Sequence, residues 1–110
     1  MTDAQRKICL RAIDHYGINH QEEKAKEELA ELLTELSRLQ DGRTTKEKIV
    51  GELADVLVMC EQLRLIFGAS DVDKAVDFKL NRLTRRIKLA GALNRTRRTG
   101  QGETVPGDAP

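Results

Sequence analysis

The residues with the clearest chemical potential are four acids in two equally spaced pairs, Glu28 with Glu31 and Glu52 with Asp55. A three-residue spacing on a helix brings both carboxylates to one face, one turn apart. The first pair belongs to an acidic run in which Glu27, Glu31 and Glu35 form a like-charge ladder at i,i+4. Such contacts each cost about 0.2–0.5 kcal/mol unless a cation is supplied. The second pair sits inside Ile49–Met59, a stretch apolar on nearly every side, with no Lys or Arg between Lys48 and Arg64. An ionised carboxylate in apolar surroundings must be protonated, paired with a base from elsewhere, or bound to a metal. Two readings follow: ion pairs from Glu52 and Asp55 to Lys79 or Arg82, or a cation held by Glu28, Glu31, Glu52 and Asp55 together. Oxygen ligands without His or Cys select magnesium, with manganese as the second candidate, over zinc or iron. A di-iron bundle would need Glu-x-x-His pairs, and neither His15 nor His20 has that spacing.

Four helices account for the placement of these acids. The first is expected from about Asp3 to His15, carrying Ile8, Cys9, Ala12 and Ile13 on one face and stopping before Gly17. The second starts at an Asn19 N-cap and runs to about Gln40, with Leu29, Leu32, Leu33, Leu36 and Leu39 as its apolar stripe and Asp41-Gly42 as its stop. Thr44 and Glu47 form a capping-box pattern opening the third, which ends before Gly68. The fourth opens at Ser70 and carries Val72, Val76, Leu80, Leu83 and Ile87 to about Ala90. Short connections between them predict an all-α fold, an antiparallel four-helix bundle. Residues 1–92 make one domain, and 93–110, with several Gly and two Pro, read as a disordered tail. The third helix is apolar nearly all round, so a homo-oligomer, dimer or tetramer, is expected to cover it.

Composition narrows the function classes. With three aromatics in 110 residues, the core must be aliphatic, which suits helices better than a sheet. A net charge of +1 argues against specific nucleic-acid binding, which rewards a basic excess. The distribution is uneven: eleven acids against six bases from Gln21 to Leu63, then nine bases against three acids from Ser70 to Arg98. An acidic middle and a basic end could attract each other, or could together hold a metal and the phosphates it bridges. Cys9 and Cys60 belong to no CxxC and read as small core residues of a reducing compartment. No apolar stretch of about 20 residues is present to span a bilayer, and a cytoplasmic location is expected.

The segment Glu27-Glu28-Leu29-Ala30-Glu31, followed by Gly51-Glu52-Leu53-Ala54-Asp55, resembles the EExxE and ExxD signature of the MazG-like all-α nucleoside triphosphate pyrophosphohydrolases. The likeness extends from about Gln21 to Gly68 in the style of short, phage-type members. It implies magnesium held by Glu28, Glu31, Glu52 and Asp55, and hydrolysis of a nucleotide substrate, an NTP or dNTP, to the monophosphate and pyrophosphate. Glu27 would orient the attacking water or hold a further metal. Lys79 and Arg82, spaced i,i+3, would face the leaving phosphates, and Gln21 would reach the base or sugar. Phosphoribosyl-ATP pyrophosphatase is a rival on a similar bundle, and a non-catalytic helical dimerisation protein is a rival of another class. Gly51 stands where many relatives carry an acid, and close helix packing is the expected reason.

Overall fold

A computed structural model describes residues 1–97 of the chain, and for Thr96 and Arg97 the backbone alone. Among these residues the structure is helical and contains no strand: α1 Asp3–Tyr16, α2 Ile18–Gln40, α3 Lys46–Phe67 and α4 Ala69–Arg97. Among the described residues three glycines with positive φ, Gly17, Gly42 and Gly68, separate the helices. A left-handed backbone there ends one helix without the steric cost that a Cβ would incur. Thr2 and Gln5 close a capping box on α1. The cap of α3 is Thr45, which accepts from the Lys48 amide, instead of Thr44. The start of α2 also differs from expectation, because Gly17 and not Asn19 occupies the N-cap.

By contacts the described residues form two compact units, Met1–Val72 and a second that begins at Asp73. In the first, α2 and α3 pair along heptad-like seams. On α2 the seam is Gln21, Ala25, Glu28, Leu32 and Glu35; on α3 it is Ile49, Glu52, Val56, Met59, Leu63 and Ile66, all buried or half-buried. Three ties fix the direction. Gln21 pairs with Gln62 (2.7 Å), Glu31 lies beside Glu52, and Glu35 pairs with Thr44 (2.9 Å). Numbers rise on one helix as they fall on the other, so the pair is antiparallel. Cys9 of α1 joins Ala25, Val56 and Met59 in the small apolar core, and the Arg6–Glu61 ion pair (3.6 Å) ties α1 to α3.

The apolar stripe expected to face inward on α2 lies largely outside. Leu29, Leu33 and Leu36 are exposed, as are Val50, Leu53 and Leu57 on α3. Each set follows its seam by one residue, a rotation of about 100°. In an antiparallel pair equal rotations turn both sets to the same side, so these six side chains share one flank of the hairpin. Glu27, Glu31, Thr34 and Arg38 take the opposite flank of α2.

In the second unit α4 continues through Gly91 to Arg97, past the expected end at Ala90. Gly91 has no positive φ, and a single glycine costs a helix only about 1 kcal/mol relative to Ala. Residues 93–97 of the expected tail are therefore helical, and 98–110 lie outside the described residues. Gly51 is no close crossing point, since a Cβ built there meets no heavy atom within 4 Å. Cys60, expected in the core, is exposed, whereas Cys9 is buried as expected. Among the described residues no helix is long and apolar enough to cross a membrane.

Candidate metal centre

The α2–α3 seam carries the acids to one point. One carboxylate oxygen from each of Glu28, Glu31 and Glu52 lies within 4.8 Å of the others. Glu28 is buried at 7% exposure, Glu52 is half-buried and Glu31 is exposed. Their electrostatics are unequal. Lys24, one turn before Glu28, reaches its Oε1 at 3.1 Å, and Glu28 and Glu27 hold the Lys24 ammonium firmly protonated. Glu28 Oε2 and Glu52 Oε2 are buried without a hydrogen-bond partner. Burial without a partner is costly for a polar atom, and more so for a charged one. Glu31 bears the result: the negative charge of Glu28, then burial, then contact with Glu52 and the charges of Glu52 and Glu27 raise its carboxyl above the ordinary value.

A pocket of about 400 Å³ opens from this cluster, lined by Glu27, Ala30, Glu31, Thr34, Glu35, Arg38 and Glu52. Its far end differs from the cluster in having every charge answered. Glu35 is buried and accepts from Thr44 Oγ1 at 2.9 Å and Arg38 Nη1 at 3.0 Å. The Thr44 bond first, then Arg38 and the Lys48 charge, outweigh burial and hold the Glu35 carboxyl below the usual range. The expected like-charge ladder is thus relieved at both ends, by Lys24 and Arg38, and left standing at Glu31.

Of the four carboxylates expected to act together, three converge. Asp55 is exposed and outside the group, one turn beyond Glu52 on α3. Glu27 lines the pocket wall. Gln21 is buried, its Nε2 donating to Gln62 Oε1 and its Oε1 lying 2.7 Å from His20 Nδ1. Lys79 and Arg82 belong to the second unit, Lys79 exposed and Arg82 half-buried. Sequence reasoning missed Glu35 and Arg38 as parts of the pocket, and Thr44 as the partner of Glu35. The Glu35–Arg38 spacing of i,i+3 was a usable signal, whereas the Thr44 contact joins residues nine apart across a turn. No family model, curated protein or solved structure matches the chain, so the likeness to the MazG-like signature rests on the residues quoted for it.

Proposed function

We propose that the chain is a magnesium-dependent nucleoside triphosphate pyrophosphohydrolase that releases pyrophosphate and a nucleoside monophosphate. The observation that carries the reading is the convergence of Glu28, Glu31 and Glu52 from two helices, with two buried carboxylate oxygens left without partners. Such a donor set suits a hard divalent cation: it consists of oxygens alone, it is crowded enough to raise a pKa, and it borders a pocket with room for polyphosphate.

Glu28, Glu31 and Glu52 would hold the ion, with Asp55 swinging in from one turn away to complete the set. Magnesium bound there would supply charge neutralisation and a water of lowered pKa. Glu27 stands on the pocket wall, where its carboxylate can accept the proton of an attacking water. Lys24, 3.1 Å from Glu28 Oε1, offsets part of the crowded negative charge while leaving Glu28 Oε2 without a partner. The signature assigns the leaving phosphates to Lys79 and Arg82, which belong to the second unit. Gln21 would approach the base or sugar only by exchanging its bonds to Gln62 and His20. The exposed flank of Leu29, Leu33, Leu36, Val50, Leu53 and Leu57 is the surface on which a second copy would pack, completing the bundle expected from sequence. Leu53→Glu should then convert a dimer to a monomer in light scattering; a monomeric wild type would remove this part of the proposal.

The enzymatic reading is tested by pyrophosphate release from a panel of ribo- and deoxynucleoside triphosphates, with magnesium and with chelator. Glu52→Gln should lower the rate by about a hundredfold or more, because loss of a metal's Lewis-acid contribution is worth several kcal/mol. Release that persists in chelator, or an unimpaired Glu52→Gln protein, would refute the reading.

A further inference from the structure

Resting on the magnesium reading above, we infer that the Glu35 end of the pocket is an anion subsite in which Arg38 receives the terminal phosphate of a magnesium-bound polyphosphate. Arg38 is the one cation among the described residues that line the pocket, whose other charged residues are Glu27, Glu31, Glu35 and Glu52. Its guanidinium is oriented: Nη1 donates to Glu35 Oε2 at 3.0 Å, and Glu35 is itself fixed by the Thr44 hydroxyl. A guanidinium has five N–H donors, so one bond to Glu35 leaves the fork able to grip an oxyanion. Positive potential collects at this end from two further sources. Lys48 is near enough to act on Glu35, and α3 begins two residues after Thr44, so its positive N-terminal dipole lies alongside.

The spacing suits a polyphosphate. Arg38 follows Glu31 by seven residues, two turns of α2, which is about 10 Å along the axis. That is on the scale of an extended triphosphate, with the cation at the Glu28–Glu31–Glu52 end and the last phosphate at Arg38. The buried, unpartnered Glu28 Oε2 marks the first end as a place for a cation, and that cation is required: four carboxylates line the same pocket and would repel an anion arriving alone. Binding is therefore ordered by charge, metal before or with phosphate. Thr34, also on the pocket wall, donates its hydroxyl proton to the Ala30 carbonyl (2.9 Å), so that proton is not available to a phosphate.

Inorganic tripolyphosphate, titrated calorimetrically into the full chain with and without magnesium, tests the subsite without requiring a nucleotide. Wild type should bind it in magnesium only. Arg38→Ala should weaken that binding about ten- to a hundredfold, the effect of losing a charge-assisted hydrogen bond, while the rise in melting temperature caused by magnesium alone is unchanged. Arg38→Lys, which keeps the charge and loses the fork, should fall between. Because Arg38 is partly exposed, both variants should fold, and circular dichroism checks this. Equal binding by wild type and Arg38→Ala overturns the subsite, as does tripolyphosphate binding that needs no magnesium. A wild type that is stabilised by magnesium yet ignores tripolyphosphate also overturns it and leaves the metal reading standing. Absence of any magnesium effect refutes the metal reading itself, and the subsite with it.

Discussion

Glu31 and Glu35 are one turn apart on α2, line the same pocket and belong to the same acidic run, yet their surroundings push them in opposite directions. Glu31 faces Glu28, Glu52 and Glu27, and its carboxyl is raised. Glu35 is met by Thr44, Arg38 and Lys48, and its carboxyl is lowered, even though it is the more buried of the two. Burial is therefore not what separates them; the partners are, a donating hydroxyl and then basic groups at Glu35 against like charges at Glu31. A fold that meets one acid with a hydroxyl and a guanidinium, and leaves the next among three like charges, has a stable end and a strained end in one pocket. The strained end is the one a cation would relieve.

The largest test of that contrast replaces each acid with its amide. Glu31→Gln removes a repelled charge and should raise the melting temperature of the metal-free protein, while abolishing most of its stabilisation by magnesium. Glu35→Gln should lower the melting temperature, because it removes an ion that two donors answer, and should leave the magnesium effect in place. Thermal melts in chelator and in millimolar magnesium read both. Two variants shifting in the same direction would break the comparison.

The pH dependence of the metal-free protein sharpens it. Glu31 has a raised native pKa, so between the ordinary carboxylate value and the raised one the native state holds more protons than the unfolded state. Stability should fall as pH rises through that window. Glu35 has a depressed native pKa, so its contribution is fully present above the ordinary value and is lost as pH falls toward the depressed one. Melting temperature measured across the acid range in chelator should thus show a shallower acid limb in Glu35→Gln. In Glu31→Gln the decline with rising pH should disappear.

Much of this arrangement is legible in the sequence, and the rest is hidden for physical reasons. Helix limits follow from Gly17, Asp41-Gly42 and Gly68, whose punctuation is local. The α3 cap moves by one residue because the Thr44 hydroxyl is engaged by Glu35, a tertiary contact that no local pattern reveals. The convergence of Glu28, Glu31 and Glu52 is readable from paired spacing on adjacent helices. Which face turns inward is not: α2 carries Leu29, Leu33 and Leu36 beside a seam of Gln21, Ala25, Glu28 and Glu35, and hydrophobicity alone favours the leucines. Periodicity detects an apolar stripe without stating whether this chain or another covers it. Gly91 is a misleading stop: among the described residues, the glycines that follow α1, α2 and α3 have positive φ and Gly91 does not.

Asp55 gives the finest discrimination, because the acid pattern and the structure weigh it differently. The spacing makes it the equal of Glu52, whereas the fold leaves it exposed and apart from the three clustered carboxylates. A ligand already in place contributes its full attraction to the ion; one that must rotate in from solvent gives up part of that attraction to ordering its side chain. Asp55→Asn should therefore reduce pyrophosphate release by about tenfold, the scale of a supporting metal contact, and lose less at higher magnesium. Glu52→Gln should stay inactive at the same concentrations. Magnesium titrations of both variants decide the matter. If Asp55→Asn is as severe as Glu52→Gln at every concentration, Asp55 is a full ligand and the seam, not the exposed position, sets the geometry of the bound state.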